Sequence, residues 1–314
     1  MTPRALVTGG AGFLGSHLCE SLAKTHSVVV LDDFSTGREE NLAAVAGRVE
    51  VIRGSITDPA TVATAVRDCN VVFHLAAMTS VVDSVANPAR CSRINMGGTA
   101  NVLEAPVHAG VRRFVLASSA AVYGDAGDAP VTEDLPPRPL SPYAISKVAG
   151  ESLCLEFGAR ASLEAVVLRF FNIYGPRQRA DSPYASVMPR FIDVLRSGGR
   201  PTIFGDGAQT RDFLHVDDAT QAYMLAGSAP ESLLKSRVYN VGTGNPTTVN
   251  AVADLLGRLA GSRQIPDHAP ARPGEIRHSC ANIARAKEEL GFSPRVSLSE
   301  GLRELWNVSQ AQRG

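Results

Sequence analysis

Arg4-Ala5-Leu6-Val7-Thr8, followed by Gly9-Gly10-Ala11-Gly12-Phe13-Leu14-Gly15, reads as a short strand that runs through a glycine turn into a helix. Gly9, Gly12 and Gly15 fill a GxxGxxG frame. Glycine at those places permits a tight turn, lets backbone N–H groups approach a pyrophosphate at the helix N-terminus, and lets the helix lie close to the strand. The next apolar run, residues 27–31, ends in Asp32, seventeen residues after Gly15. A carboxylate there accepts hydrogen bonds from adenosine ribose hydroxyls and repels a 2′-phosphate, so the pattern favours NAD over NADP. Arg38 is the nearby cation that would argue otherwise, and it reads as a solvated surface side chain.

Beyond this unit, apolar runs at residues 49–53, 71–75, 113–117, 165–170 and 238–241 are mostly separated by helical stretches. That alternation predicts an α/β chain with a Rossmann-like, doubly wound parallel sheet. Its cofactor is expected across the carboxyl ends of the strands, where Gly54-Ser55-Ile56, Ala76-Ala77 and Ser118-Ser119 follow the runs. Pro106 falls within a helical stretch between residues 99 and 109. A proline inside a helix costs about 3 kcal/mol, so a kink or an early end is expected there. From about Tyr174 the texture changes to prolines, arginines and glycines, as in Gly175-Pro176-Arg177-Gln178-Arg179 and Gly205-Asp206-Gly207. Such stretches build loops around sites. The expected division is a dinucleotide-binding domain over 1–173, with a segment near 212–243 returning to its sheet, and a smaller substrate-binding lobe over 174–314.

Composition narrows the function classes. With 314 residues and 44% hydrophobic content the chain buries a large core and is long for one compact domain. Thirty-one basic and thirty-one acidic residues give a net charge of zero, without a basic run to hold a phosphate backbone, so no nucleic-acid partner is expected. Cys19, Cys69, Cys91, Cys154 and Cys280 are scattered, odd in number and free of any CxxC pair, which suggests neither a disulfide framework nor a zinc site. The histidines show no metal spacing, and no metal is expected. No apolar stretch approaches the roughly twenty residues of a membrane span, and Met1-Thr2-Pro3-Arg4 leads into a strand, so the expected setting is a reducing cytoplasm, away from membranes.

Chemistry enters at Ser141-Pro142-Tyr143-Ala144-Ile145-Ser146-Lys147. On a helix Tyr143 and Lys147 share a face, and the ammonium stabilises a phenolate beside it. A free tyrosine, with a pKa of about 10, needs such a cation to serve as a base at neutral pH. The same spacing also occurs on solvated helices.

These residues carry a family resemblance. GGAGFLGSH (9–17), Asp32-Asp33 with Ser35-Thr36-Gly37, His74-Leu75-Ala76-Ala77, Ser118-Ser119-Ala120-Ala121-Val122-Tyr123-Gly124, Tyr143 with Lys147, Arg169-Phe170-Phe171-Asn172 and Arg211-Asp212-Phe213-Leu214-His215-Val216 resemble the extended short-chain dehydrogenase/reductase family. Within it, they are most similar to NAD-dependent UDP-sugar 4-epimerases of the UDP-galactose 4-epimerase type. The motifs run in family order from residue 4 to about residue 305. By this resemblance Gly9, Gly12, Phe13, Leu14, Gly15, Asp32, Asp33, Ser35, Thr36, Gly37, Ser55, Ile56, Leu75, Ala76, Ala77, Tyr143 and Lys147 fall on positions that hold NAD. Ser55 stands where the family usually has an aspartate beside the adenine.

The resemblance also implies a mechanism. Tyr143 as phenolate takes the proton of the sugar C4 hydroxyl while the C4 hydride passes to the nicotinamide, and Ser119 orients that hydroxyl. Lys147 holds the nicotinamide ribose and lowers the Tyr143 pKa. The 4-keto sugar turns about its pyrophosphate, and the hydride returns to the other face. Dehydratase relatives carry an Asp and a Glu at the positions of Ala120 and Ala121, and decarboxylases keep the Glu. Methyl groups transfer no protons, which disfavours both reactions. A non-catalytic NAD-binding sensor is the other class, and it would be free to lose Ser119, Tyr143 or Lys147.

For the substrate, the resemblance places Ser80, Ser119 and Tyr143 near the sugar, Asn172, Arg211 and Arg272 on the UDP pyrophosphate, and Val187, Met188 and Phe204 around uracil. Arg179 falls where UDP-glucuronate 4-epimerases carry an arginine near the sugar carboxylate, which favours UDP-glucuronate. Asn172 is the neutral-sugar choice, keeping UDP-glucose in play, and Ser279 at the gate position leaves room for UDP-N-acetylglucosamine. His74 and His215 are read as structural. Apolar faces at residues 92–109 and 147–158 are expected, by the resemblance, to form the four-helix interface of a homodimer.

Overall fold

The apolar runs become strands because a sheet covered on both faces needs near-continuous hydrophobic segments, and β-branched residues fit its pleat. The computed structural model describes residues 2–161, 163–179, 187–262, 265–271 and 276–311. Its strands are β1 (Arg4–Thr8), β2 (Ser27–Asp32), β3 (Val49–Arg53), β4 (Val71–His74), β5 (Arg113–Ser119), β6 (Glu164–Phe170), β7 (Asn172–Tyr174), β8 (Thr202–Phe204), β9 (Thr210–His215), β10 (Val238–Val241), β11 (Pro246–Thr248) and β12 (Asp267–Ala269). Its α-helices are α1 (Phe13–Leu22), α2 (Pro59–Ala65), α3 (Val81–Ala86), α4 (Pro88–Ser92), α5 (Thr99–Ala109), α6 (Pro142–Arg160), α7 (Val187–Arg196), α8 (Val216–Ser228), α9 (Val249–Leu259), α10 (Ala284–Leu290) and α11 (Leu298–Ala311).

Seven strands form one sheet in the order β10-β6-β5-β4-β1-β2-β3, paired in parallel throughout. Alternation along each strand feeds two cores. Ala5, Val7, Val28, Val30, Phe73 and Val115 pack with Leu18 and Leu22 of α1 and Ala222 and Tyr223 of α8. On the opposite face Leu6, Val29, Val72, Phe114 and Leu116 pack with Val62 of α2, Leu103 of α5 and Cys154 of α6. This is the Rossmann-like α/β fold. Strand order reverses between β1 and β4, which puts a binding crevice at their carboxyl ends.

A third core lies outside the large sheet. Met188, Phe191, Ile192 and Leu195 recur on one face of α7 and meet Val252 and Leu256 of α9 and Leu302 of α11. Two small sheets, β11-β9-β7 and β12-β8, flank it. After β9 the chain re-enters the first core through α8 and the large sheet through β10.

Several details differ from the sequence reading. The strand expected over 113–117 continues to Ser119, so the serine pair closes β5 instead of following it. Pro106 does not end α5; the helix continues to Ala109, and Gly110, at φ 71°, caps it with its N–H on the Pro106 carbonyl. So near the end, the proline removes one donor and the Schellman-type turn follows at once. A π-turn at Arg93–Gly98 precedes the helix. On the expected dimer faces, Ile94, Leu153, Leu155 and Phe157 are half-buried against the second core. Exposed large apolar side chains include Val81, Val82 and Val85 of α3, Leu140 and Ile145. All five cysteines are buried free thiols, and no described helix is long and apolar enough to cross a membrane.

Candidate active site

The glycine turn is shaped by contacts that leave no room for side chains. Gly9 has φ +73°, and a Cβ there would stand 2.8 Å from the Ala76 nitrogen; at Gly15 it would stand 2.1 Å from the Gly9 carbonyl oxygen. Gly12 is the N-cap of α1 and supplies no side chain to the first turn. The N–H groups of Phe13, Leu14 and Gly15 therefore head the helix as the sequence reading expects. A cradle that a single methyl group would fill fits a pyrophosphate.

Asp32 closes β2 at 7% exposure, accepting the N–H of Ala11 at 2.9 Å and of Phe34 at 2.8 Å. Burial raises its pKa, and those two N–H groups oppose the rise. The carboxylate thus also clips the glycine turn, a role the spacing did not reveal. Ala11 further accepts the Arg38 N–H at 3.0 Å and the Asn41 side chain at 2.8 Å, drawing the loop of Asp33, Ser35, Thr36 and Gly37 against the turn. Asp33, Ser35, Thr36 and the Arg38 side chain are exposed.

On the β3 side Ser55 bonds Thr57 through its hydroxyl at 2.9 Å, and Asn101 donates to the Ile56 carbonyl at 3.0 Å. On the β4 side the N–H groups of Leu75 and Ala76 donate to Thr8 Oγ1, both at 3.2 Å, with Ala77 following. His74 bonds Thr8 at 2.7 Å through Nδ1 and Thr99 at 2.9 Å through Nε2. Burial, then Lys147, pushes its pKa down to about 3, so it is a neutral tie between β1 and α5. His215 caps α8, accepting the Asp217 N–H at 3.4 Å.

Three side chains meet where β5 ends and α6 begins. Ser141 caps α6 and Pro142 occupies its first turn, which sets Tyr143 one residue into the helix. Its N–H is held by Ser84 Oγ at 3.1 Å. The Ser119 hydroxyl stands close enough to the Tyr143 phenol to act on its pKa and accepts the Ala121 N–H at 3.2 Å. Lys147 Nζ donates to the Ala117 carbonyl at 2.9 Å and lies 5.7 Å from the Tyr143 ring centroid. Burial raises the Tyr143 pKa and Ser119 opposes it; burial lowers Lys147 to about 8. Desolvation, and not the expected lowering by Lys147, governs the phenol here. A positive ring in the crevice would supply the missing charge.

Asn95, which the sequence reading missed, clamps the crevice wall. Its Oδ1 accepts the Met78 N–H at 2.7 Å, and its Nδ2 donates to the Met78 carbonyl at 3.0 Å and to Ser146 Oγ at 2.9 Å. The only signal was a polar residue before Gly97-Gly98 in a helical pattern. Ser80 caps α3 with its Oγ 3.1 Å from the Asp83 N–H.

Of the candidates in the second lobe, Asn172 and Arg179 are exposed, while Val187, Phe204, Arg211 and Ser279 are half-buried. Asn172 pairs with Phe213, two residues along β9 from Arg211, so both polar groups lie on one small sheet. Met188 is 1% exposed and belongs to the third core. Arg272 lies outside the described residues. The loop that carries Arg179 is tied to α1: Pro176 O lies 3.1 Å from His17 Nε2, and Arg177 donates to Ser16 Oγ at 3.0 Å and pairs with Glu20.

A glycine-cradled dinucleotide crevice with a Ser-Tyr-Lys group at its mouth defines a nicotinamide-dependent enzyme class. The sequence matches the NAD dependent epimerase/dehydratase family over residues 5–242, and the chain belongs to it. It is 40% identical over 304 residues to the UDP-glucose 4-epimerase of Mycolicibacterium smegmatis, covering 95% of this chain and 96% of that protein. Its fold superposes at TM-score 0.93 on a UDP-glucose 4-epimerase from Thermotoga maritima solved with UDP-glucose, 36% identical, covering 99% of this chain and 100% of that one. It superposes at 0.88 on the UDP-glucuronic acid 4-epimerase from Bacillus cereus in complex with UDP-glucuronic acid and NAD, 33% identical, covering 98% and 99%. The protein is an NAD-dependent enzyme of the UDP-sugar 4-epimerase group.

Proposed function

We propose that the protein inverts C4 of a UDP-hexose through a 4-keto sugar, with UDP-glucuronate as substrate. The observation that carries the reaction is the Ser119-Tyr143-Lys147 group beside Ala120 and Ala121, which offers one proton acceptor and no second acid. Tyr143 accepts the C4 hydroxyl proton and returns it to the ketone oxygen after the sugar has turned. Ser119 holds that oxygen through the hydroxyl that faces the phenol, and Lys147 supplies positive charge behind them. The glycine turn and Asp32 would hold NAD, which would supply the hydride acceptor and donor. The alanines supply neither the acid nor the base that elimination of water needs.

Arg179 supports the uronic acid, because a guanidinium matches a carboxylate in bidentate geometry. Asn172 and the similarity to UDP-glucose 4-epimerases favour UDP-glucose as the second reading. Incubation with UDP-glucuronate, UDP-glucose and UDP-N-acetylglucosamine, without added NAD, followed by NMR of the C4 proton coupling, tests both. Conversion of UDP-glucuronate that Arg179→Ala selectively abolishes is the expected result. Conversion of none of the three would sink the epimerase reading.

A further inference from the structure

Tyr143, Lys147 and Glu151 stand at i, i+4 and i+8 on α6, so they form one stripe of the helix. Each is seated on one of the last three residues of β5. The Tyr143 phenol faces Ser119, Lys147 Nζ donates to the Ala117 carbonyl at 2.9 Å, and the Ser118 hydroxyl donates to Glu151 Oε1. Glu151 is 4% exposed. Arg169, on the neighbouring strand β6, grips it with Nε on Oε1 at 2.9 Å and Nη2 on Oε2 at 2.6 Å. The remaining guanidinium nitrogen donates to the Tyr123 phenol at 2.9 Å, which donates to Asn240 at 2.6 Å.

A buried ion pair is a poor way merely to hold a helix on a sheet, since desolvation offsets most of its attraction and apolar side chains would serve as well. What a fixed carboxylate adds is a field on its neighbours. The titratable groups acting on Lys147 are Glu151 and Tyr143 on α6, Cys91 on α4 and His74 at the end of β4. Among them Glu151 is the carboxylate, fixed in place by Ser118 and Arg169.

We propose that Glu151 is a positioning residue of the proton-transfer site: locked by Ser118 and Arg169 one turn beyond Lys147, its carboxylate keeps that side chain an ammonium seated on β5. It therefore acts on Tyr143 only through Lys147, and the proposal rests on the reading of Tyr143 and Lys147 as the proton-transfer pair. Burial alone drives Lys147 towards neutrality, and Glu151 opposes it.

The chain has four lysines, Lys24, Lys147, Lys235 and Lys287, so ¹³Cε-lysine NMR of the NAD-loaded protein resolves the Lys147 titration directly, with Lys147→Arg assigning the signal. Glu151→Gln is expected to move that titration about one pH unit or more to lower pH and to carry the alkaline limb of kcat with it, leaving KM nearly unchanged. Glu151→Gln combined with Arg169→Gln removes the orphaned cation; Tm is expected to recover while Lys147 still titrates below the unaltered protein. Glu151→Asp is expected to restore part of the shift. An unmoved Lys147 titration in Glu151→Gln, or in the double variant should the single one not fold, overturns the proposal. Absence of any epimerisation by the unaltered protein would instead overturn the proposed function, an outcome that the lysine signal does not touch.

Discussion

Tyr143 shows how burial and charge compete at a single side chain. The i, i+4 spacing correctly places Lys147 beside it, yet the phenol is 9% exposed and desolvation holds it protonated. On the proposed mechanism, proton acceptance by Tyr143 therefore coincides with the arrival of positive charge, which couples deprotonation to a loaded crevice. Tyr143→Phe is expected to lower kcat by about 10²- to 10⁴-fold while bound NAD, read by absorbance of the denatured supernatant, is unchanged. Burial lowers the Lys147 pKa to about 8, and the proposed mechanism uses its ammonium form. Activity that depends on it falls as pH rises through that value, so a kcat profile without an alkaline limb near 8 would contradict this role.

At the scale of the element, the strand, glycine turn and helix form one unit with no room for a Cβ at Gly9 or Gly15. Gly15→Ala would place Cβ 2.1 Å from a backbone oxygen that cannot swing aside. The expected result is loss of bound NAD and a lower Tm. His74 couples the same unit to α5, and its pKa of about 3, against 6.5 when unfolded, makes the coupling sensitive to acid. Between those values the unfolded chain binds the proton and the folded chain does not, so stability falls as pH drops through the window. About 2 kcal/mol from this group is lost by pH 5. Urea unfolding of His74→Gln is expected to show a correspondingly flatter acid limb. The glycine frame and Asp32 were legible in the sequence because close approach admits few residue types; the ties from Ala11, Thr8 and Thr99 were not, because alanine and threonine carry no distinctive pattern.

Across the whole molecule, the loop bearing Arg179 is anchored on the cofactor helix through His17, Ser16 and Glu20. Arg177 sustains this anchor at φ +69°, a conformation that costs a non-glycine residue free energy. Arg177→Ala is expected to raise the KM for UDP-sugar several-fold with little change in bound NAD. Equal loss of both would mean that the anchor serves folding alone. By itself, the sequence determined the alternating sheet and its cofactor turn, and it pointed to the chemistry proposed for Ser119, Tyr143, Lys147, Ala120 and Ala121. Periodicity and residue type suffice there, since each constraint is local. Only the tertiary structure decided that Pro106 lies harmlessly in the last turn of α5, that Met188 packs into a core, and that Asn95 and Glu151 stand behind the site. Those outcomes depend on what distant segments bring together, and desolvation, which sets the charge of Tyr143, Lys147 and His74, exists only once the chain has closed around them.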